Sequence, residues 1–164
     1  MVPIVSIVGK SNSGKTILLE GLIAELKRRG YRFASIKHSA YGFDLDQPGT
    51  DSWRLAHAGS DTVVIVTPQI LTLIKRVDKV LSLEEVLSII IGDFDIFLTE
   101  GFKKWNTPKI EVHRKKHGPE LLCSPGELIA IVSDEPLEVT VPRYPPDNIQ
   151  GLSDLIEQRF LCQQ

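Results

Sequence analysis

Cysteine is scarce in this chain: Cys123 and Cys162 are the only two in 164 residues, far apart and in no C-x-x-C pair. That excludes a disulfide-dense scaffold and a cysteine-ligated zinc site, and two free thiols suit the reducing cytoplasm. Long hydrophobic runs are missing too. The apolar start, MVPIVSIV, is cut short at Gly9-Lys10 and has no basic leader, so it fits neither a membrane span nor a signal peptide. Aromatics supply only 7% of the residues. Charge of neither sign prevails: 19 Lys and Arg stand against 21 Asp and Glu, a net charge of −2. A dedicated polyanion binder would carry a strong basic excess. Internal repeats and low-complexity tracts are absent. What is present, 42% hydrophobic and 24% charged residues, fits one globular domain over residues 1–164.

Hydrophobic spacing predicts strands alternating with helices. Val2 to Val8 reads as a buried strand. Leu18, Leu19, Leu22, Ile23 and Leu26 then fall on one helical face, with Lys27, Arg28 and Arg29 in the last turn and Gly30 as the stop. Tyr31 to Lys37 is a second strand, followed by a polar loop. Asp51 or Ser52 can cap a short helix ending at Ala58. Asp61 to Thr67 and Ile70 to Lys75, broken by Pro68, predict an antiparallel hairpin. Ser82 with Glu85 has the spacing of a capping box. Short strands follow at 95–99, 109–113 and 128–132, and a final helix places Ile149, Leu152, Leu155, Ile156 and Phe160 on one face. This order predicts an α/β domain: a largely parallel sheet flanked by helices, mixed where the hairpin and the segment after Lys109 interrupt the alternation.

Gly9-Lys10-Ser11-Asn12-Ser13-Gly14-Lys15-Thr16 matches G-x-x-x-x-G-K-[ST], between the required strand and helix. This predicts a P-loop NTPase fold. Glycines let the backbone of Gly9, Asn12, Ser13 and Gly14 turn its N–H groups toward phosphate, and the helix directs its positive end at the same anion. Lys15 can reach the β- and γ-phosphates, and the Thr16 hydroxyl can ligate Mg²⁺. A carboxylate must complete that metal site. Asp44, Asp46 and Glu100 are the candidates, each of which could instead be a solvated loop charge. Glu100 ends an apolar strand, as a Walker-B-type acid does, and joins Lys15 as a candidate for the hydrolytic step. A lysine at the Lys10 position occurs in the deviant Walker motif of MinD/ParA-type ATPases. An exposed lysine at a variable position is the simpler reading.

Further motifs occur in order: Ile36-Lys37-His38, then Phe43-Asp44-Leu45-Asp46-Gln47-Pro48-Gly49-Thr50-Asp51-Ser52, then Glu100-Gly101-Phe102-Lys103, then Pro108-Lys109-Ile110-Glu111-Val112-His113-Arg114. Together with the P-loop they resemble the MobB family of molybdopterin-guanine dinucleotide biosynthesis adapter proteins, from about Val2 to Asp134. The resemblance implies a dimeric GTP-binding protein with weak Mg²⁺-dependent GTPase activity. It further implies that the protein assists the molybdopterin guanylyltransferase, the enzyme that attaches GMP to molybdopterin. It also places Gly14, Lys15 and Thr16 at phosphate and magnesium, and the aspartates of FDLD and Glu100 nearby. Where many relatives carry more histidine after His38, this chain has Ser39-Ala40-Tyr41-Gly42, so it departs from any histidine cluster; a structural hydrogen-bonding role is the simpler reading of His38, with catalysis the alternative.

The GTPase motif N-K-x-D is absent. Asp134, after the last apolar strand, could accept hydrogen bonds from guanine N1 and N2; a turn cap before Pro136 is the alternative. Phe102 to His117 holds Lys103, Lys104, Lys109, Arg114, Lys115 and Lys116 against Glu111 alone, a local balance of +5. Such a patch suits the phosphate of molybdopterin, with Lys103 and Lys115 as contacts, or an acidic partner surface. Nucleic acid ranks low because few aromatics accompany it. A small-molecule kinase or ATP-dependent ligase is the rival reading. It would need an arginine-rich lid, and the sequence has no such cluster.

Overall fold

β6 (Lys109–His113) and β7 (Leu128–Ser133) are buried along their whole length, and β1 (Ile4–Gly9) and β5 (Ile96–Glu100) nearly so. Strands are enclosed in this way because both faces of a parallel sheet are covered; β1, β5 and β7 are mostly apolar, whereas β6 carries Lys109, Glu111 and His113 into the interior. With β2 (Phe33–Lys37) and the two-residue β8 (Arg143–Tyr144) they form one six-stranded sheet, ordered β2-β5-β1-β6-β7-β8 and parallel at every pairing. The computed structural model describes residues 2–39 and 46–162. It divides into two compact units, Met1–His38 with Gly92–Gln164, and Ser39–Ile91.

In the first unit α1 (Lys15–Arg28) and α4 (Ile149–Ile156) pack on one face of the sheet. Leu18, Leu22, Leu26, Leu152 and Ile156 meet Val5, Ile7, Leu98 and Ile110 there. A second cluster gathers Val8, Cys123, Leu128 and Ile131 under loop residues such as Leu121 and Val139. Burial pushes the Cys123 thiol up to about 12, helped by the nearby Glu111 carboxylate. A buried hydroxyl chain crosses the strands: Thr99 donates to Ser6 (2.8 Å), and Ser6 pairs with Thr107 (2.7 Å). The last helix continues into a π-helical turn, Glu157–Leu161, so the face predicted at regular helical spacing slips and Leu161 is buried beside the partly buried Phe160.

The second unit holds the predicted hairpin, β3 (Thr62–Val66) against antiparallel β4 (Leu71–Lys75). It forms a separate two-stranded sheet, so the expected mixing does not occur: the main sheet stays wholly parallel. α2 (Asp51–His57) is capped by Thr50, whose hydroxyl accepts the Trp53 N–H (3.2 Å), and not by Asp51 or Ser52. An N-cap residue must lie outside the helix, and both candidates are already inside it. α3 (Leu83–Ile89) has the predicted capping box between Ser82 and Glu85.

Candidate functional site

Every strand of the parallel sheet points its carboxyl end to the same edge. There the P-loop follows β1, Glu100 closes β5, Lys37 closes β2, Arg114 follows β6 and Asp134 follows β7. Two glycines shape the loop. A Cβ on Gly9 would lie 2.6 Å from both the Val112 carbonyl and Ser13 Oγ. Gly14 has φ +94°, the left-handed conformation that costs glycine little. Asn12 is also left-handed, at φ +57°, a position that Asn tolerates. Gly14 is the N-cap of α1 and offers no side-chain acceptor, which leaves the helix's first amides open to an anion. Ser13 Oγ is buried with no hydrogen-bond partner among the described residues.

Beside the loop is an open cavity of about 500 Å³, lined by Asn12, Lys15, Thr16, Lys37 and Glu100 among others. Lys15 Nζ donates to the Lys10 carbonyl (2.8 Å). Burial lowers the Lys15 pKa below the usual lysine value; Glu100 opposes that shift, while Lys103 and Lys37 add to it. Thr16 Oγ1 donates to Glu100 Oε2 at 3.1 Å, and Lys37 Nζ lies 3.6 Å from Glu100 Oε1. Thus four predicted residues of the phosphate and metal site, Gly14, Lys15, Thr16 and Glu100, come together. The loop beyond Glu100 is braced by Phe102, at φ +50°, whose ring stacks on Trp105 (3.5 Å) and meets His38 edge-on (5.2 Å). His38 N–H donates to the Glu100 carbonyl (3.0 Å), in keeping with a structural role.

Asp44 falls outside the described residues. Asp46 belongs to the second unit, where Oδ1 accepts the Thr50 hydroxyl (2.7 Å). Ser52 and Thr50 hold its carboxyl below the usual range. Asp134 is exposed, and its Oδ1 accepts the Lys115 N–H (3.1 Å). That bond, with Arg114 and His113 close by, lowers its pKa.

The +5 stretch is not one surface. Lys109 is fully buried, donating to the Trp105 carbonyl (2.7 Å) and Glu127 (2.5 Å). The lysine holds the Glu127 carboxyl down at about 2. Glu111 is buried too and accepts the N–H groups of Leu122 (2.8 Å) and Cys123 (3.0 Å). β6 is an inner strand, so its polar residues are enclosed and need partners. Lys103, Lys104, Lys115 and Lys116 remain exposed. Lys10 is committed within its own chain, donating to the His117 carbonyl at 2.7 Å. Arg114, read in the sequence only as part of the basic run, stands at the P-loop, where its Nε donates to the Ser13 carbonyl (2.8 Å). No local signal marks it, because the contact joins residues far apart in sequence.

A parallel sheet with this loop at the carboxyl edge of its central strand defines a P-loop nucleotide-binding protein. Residues 4–134 match the family model of molybdopterin guanine dinucleotide synthesis protein B, MobB. The chain is 34% identical over 157 residues to the molybdopterin-guanine dinucleotide biosynthesis adapter protein of Haemophilus influenzae, covering 95% of this chain and 88% of that one. It is also 34% identical over 161 residues to the Escherichia coli protein of the same name, covering 95% and 92%. Among solved structures, Bacillus subtilis MobB superposes with a TM-score of 0.77 at 25% identity, over 96% of this chain and 98% of that one. A crystal structure of molybdopterin-guanine biosynthesis protein B gives 0.73 at 29%, over 94% and 98%. This chain belongs to the MobB family.

Proposed function

We propose that this chain is a GTP-binding adapter in molybdopterin guanine dinucleotide biosynthesis, acting in the cytoplasm as a homodimer beside the molybdopterin guanylyltransferase. The observation that carries the nucleotide reading is the Thr16–Glu100 contact of 3.1 Å at the mouth of the P-loop, in a chain of this family. Hydroxyl and carboxylate are the hard oxygen donors that Mg²⁺ takes alongside phosphate and water. Thr16 and Glu100 would hold the ion, which neutralises phosphate charge when bound. The glycine-shaped loop and the unpartnered Ser13 hydroxyl suit an anion. Lys15 stabilises the charge of the terminal phosphates, and slow attack of water on the γ-phosphate is the only chemistry assigned. Asp134 reads guanine through N1 and N2. Exposed Lys103 and Lys115 are the proposed contacts for the molybdopterin phosphate or an acidic partner face, with Asp46 and Asp44 as auxiliary acids.

The test combines calorimetric titration of Mg-GTP and Mg-ATP with affinity capture and mass spectrometry of partners. A clear preference for GTP, weak turnover and recovery of a molybdopterin nucleotidyltransferase are expected. Phosphoryl transfer to a small acceptor at ordinary enzyme rates would replace this reading with the kinase or ligase one.

The exposed face of the hairpin supports the dimer. Val64 pairs with Leu73 and Val66 with Leu71, so all four share one face, and Val66 and Leu71 are 71% and 61% exposed. Apolar side chains grouped in this way favour a partner surface. Placing glutamate at both Val66 and Leu71 should turn the dimer into a monomer by light scattering. A variant that stays dimeric would move the dimer surface elsewhere.

A further inference from the structure

Arg114 lies between the phosphate loop and the end of β7, and its surroundings are fixed on every side. Its Nε donates to the Ser13 carbonyl (2.8 Å). Its Nη2 lies 3.0 Å from where a Cβ on Gly14 would stand, so a side chain there would displace the guanidinium. The segment carrying it is strapped down twice more: Lys115 N–H reaches Asp134 Oδ1 (3.1 Å), and Lys10 Nζ reaches the His117 carbonyl (2.7 Å). His117 N–H closes back onto the Arg114 carbonyl (2.9 Å). The guanidinium is therefore ordered before any ligand arrives. Only Nε is used; the four Nη hydrogens donate to no protein acceptor among the described residues.

We propose that Arg114 is a specificity-determining residue that reads guanine O6 and N7 with its Nη groups while its Nε holds the phosphate loop in shape. This rests on the GTP reading above and names a determinant that the missing N-K-x-D leaves open. A guanidinium fork matches two adjacent acceptors, and guanine presents O6 beside N7. Adenine presents an N6 amino donor beside N7, which confronts the fork with a like group. Asp134, on the adjoining strand end, supplies the opposite half: its carboxylate accepts from N1–H and the 2-amino group. The pair selects guanine by donors on one edge and an acceptor on the next. Because the same arginine holds Ser13, the base is read and the phosphate loop ordered by one side chain.

The decisive probe is 7-deaza-GTP, which lacks the N7 acceptor, compared with GTP by calorimetry on the full chain with Mg²⁺. Wild type should bind 7-deaza-GTP about five- to tenfold more weakly than GTP. Arg114→Met should bind GTP more weakly and make no distinction between the two. Arg114→Leu, which likewise has no donor, should also lose the distinction and carries the comparison if the Met variant does not melt cooperatively. Equal wild-type affinity for the two analogues overturns the proposal. So does a GTP-to-deaza ratio that survives in the variants while all affinities fall together, because the guanidinium would then serve phosphate alone. A wild type that binds ATP as tightly as GTP refutes the guanine reading itself, which is a different failure.

Discussion

Lys15→Ala should weaken Mg-GTP binding about 10²- to 10³-fold while leaving the melting temperature nearly unchanged. In the free protein Lys15 Nζ rests on the Lys10 carbonyl at 2.8 Å, inside its own loop. Its partial burial disfavours the charge, so the ammonium is held ready for an anion and is incompletely compensated. Truncating one partner of a hydrogen-bonded, desolvated charge pair costs about 2–5 kcal/mol in binding, and the middle of that range gives the stated factor. The side chain lines the open cavity beside the loop, so folding should survive its loss. Titration calorimetry and a thermal melt check both halves; a loss below tenfold would remove Lys15 from the phosphate contacts. The lowered pKa adds a pH signature. Binding needs the protonated amine, so affinity should fall as pH rises through a value below the ordinary lysine range. Lys103→Ala, which removes one of the charges depressing it, should move that fall to higher pH.

Glu111→Ala should destabilise the protein by about 3 kcal/mol. Glu111 is 2% exposed, and its two oxygens hold the Leu122 and Cys123 amides. An amide left buried without an acceptor costs about 1–3 kcal/mol, and the removed side chain leaves a void besides. For a chain of this size that is a fall of roughly 10 °C in melting temperature. Glu111→Gln keeps one acceptor oxygen and should lose less. Equal melting temperatures for wild type and Glu111→Ala would mean that the 118–127 loop is held by other contacts.

The parts of the site that rest on local chemistry were legible in the sequence. The P-loop residues, the acid ending β5 and the Ser82–Glu85 cap each declare themselves by short spacing, and the structure puts them where that spacing says. Three things were not legible. Lys109 and Glu111 read as surface charge because a central strand next to β1 cannot be told from an outer one by its own residues. Thr50 was passed over as a cap because Asp51 and Ser52 beside it are equally good capping types. Arg114 was counted within a basic run because its partner, Ser13, is distant in sequence. For the strand and for Arg114 the deciding neighbour is tertiary; for Thr50 it is the local Trp53 amide, which starts the helix one residue earlier than either candidate allows. The antiparallel hairpin was foreseen, but its separation from the main sheet depends on pairing partners that no local pattern encodes.

The brevity of β8 has a consequence for how copies of this protein can meet. The outer edge of the main sheet on that side is two residues long, with Pro142 before it and Pro145-Pro146 after it. Proline offers no amide to a neighbouring strand, so a second chain finds almost no ladder to extend there. Growth of the sheet into a fibre is blocked at that border by ring closure at nitrogen.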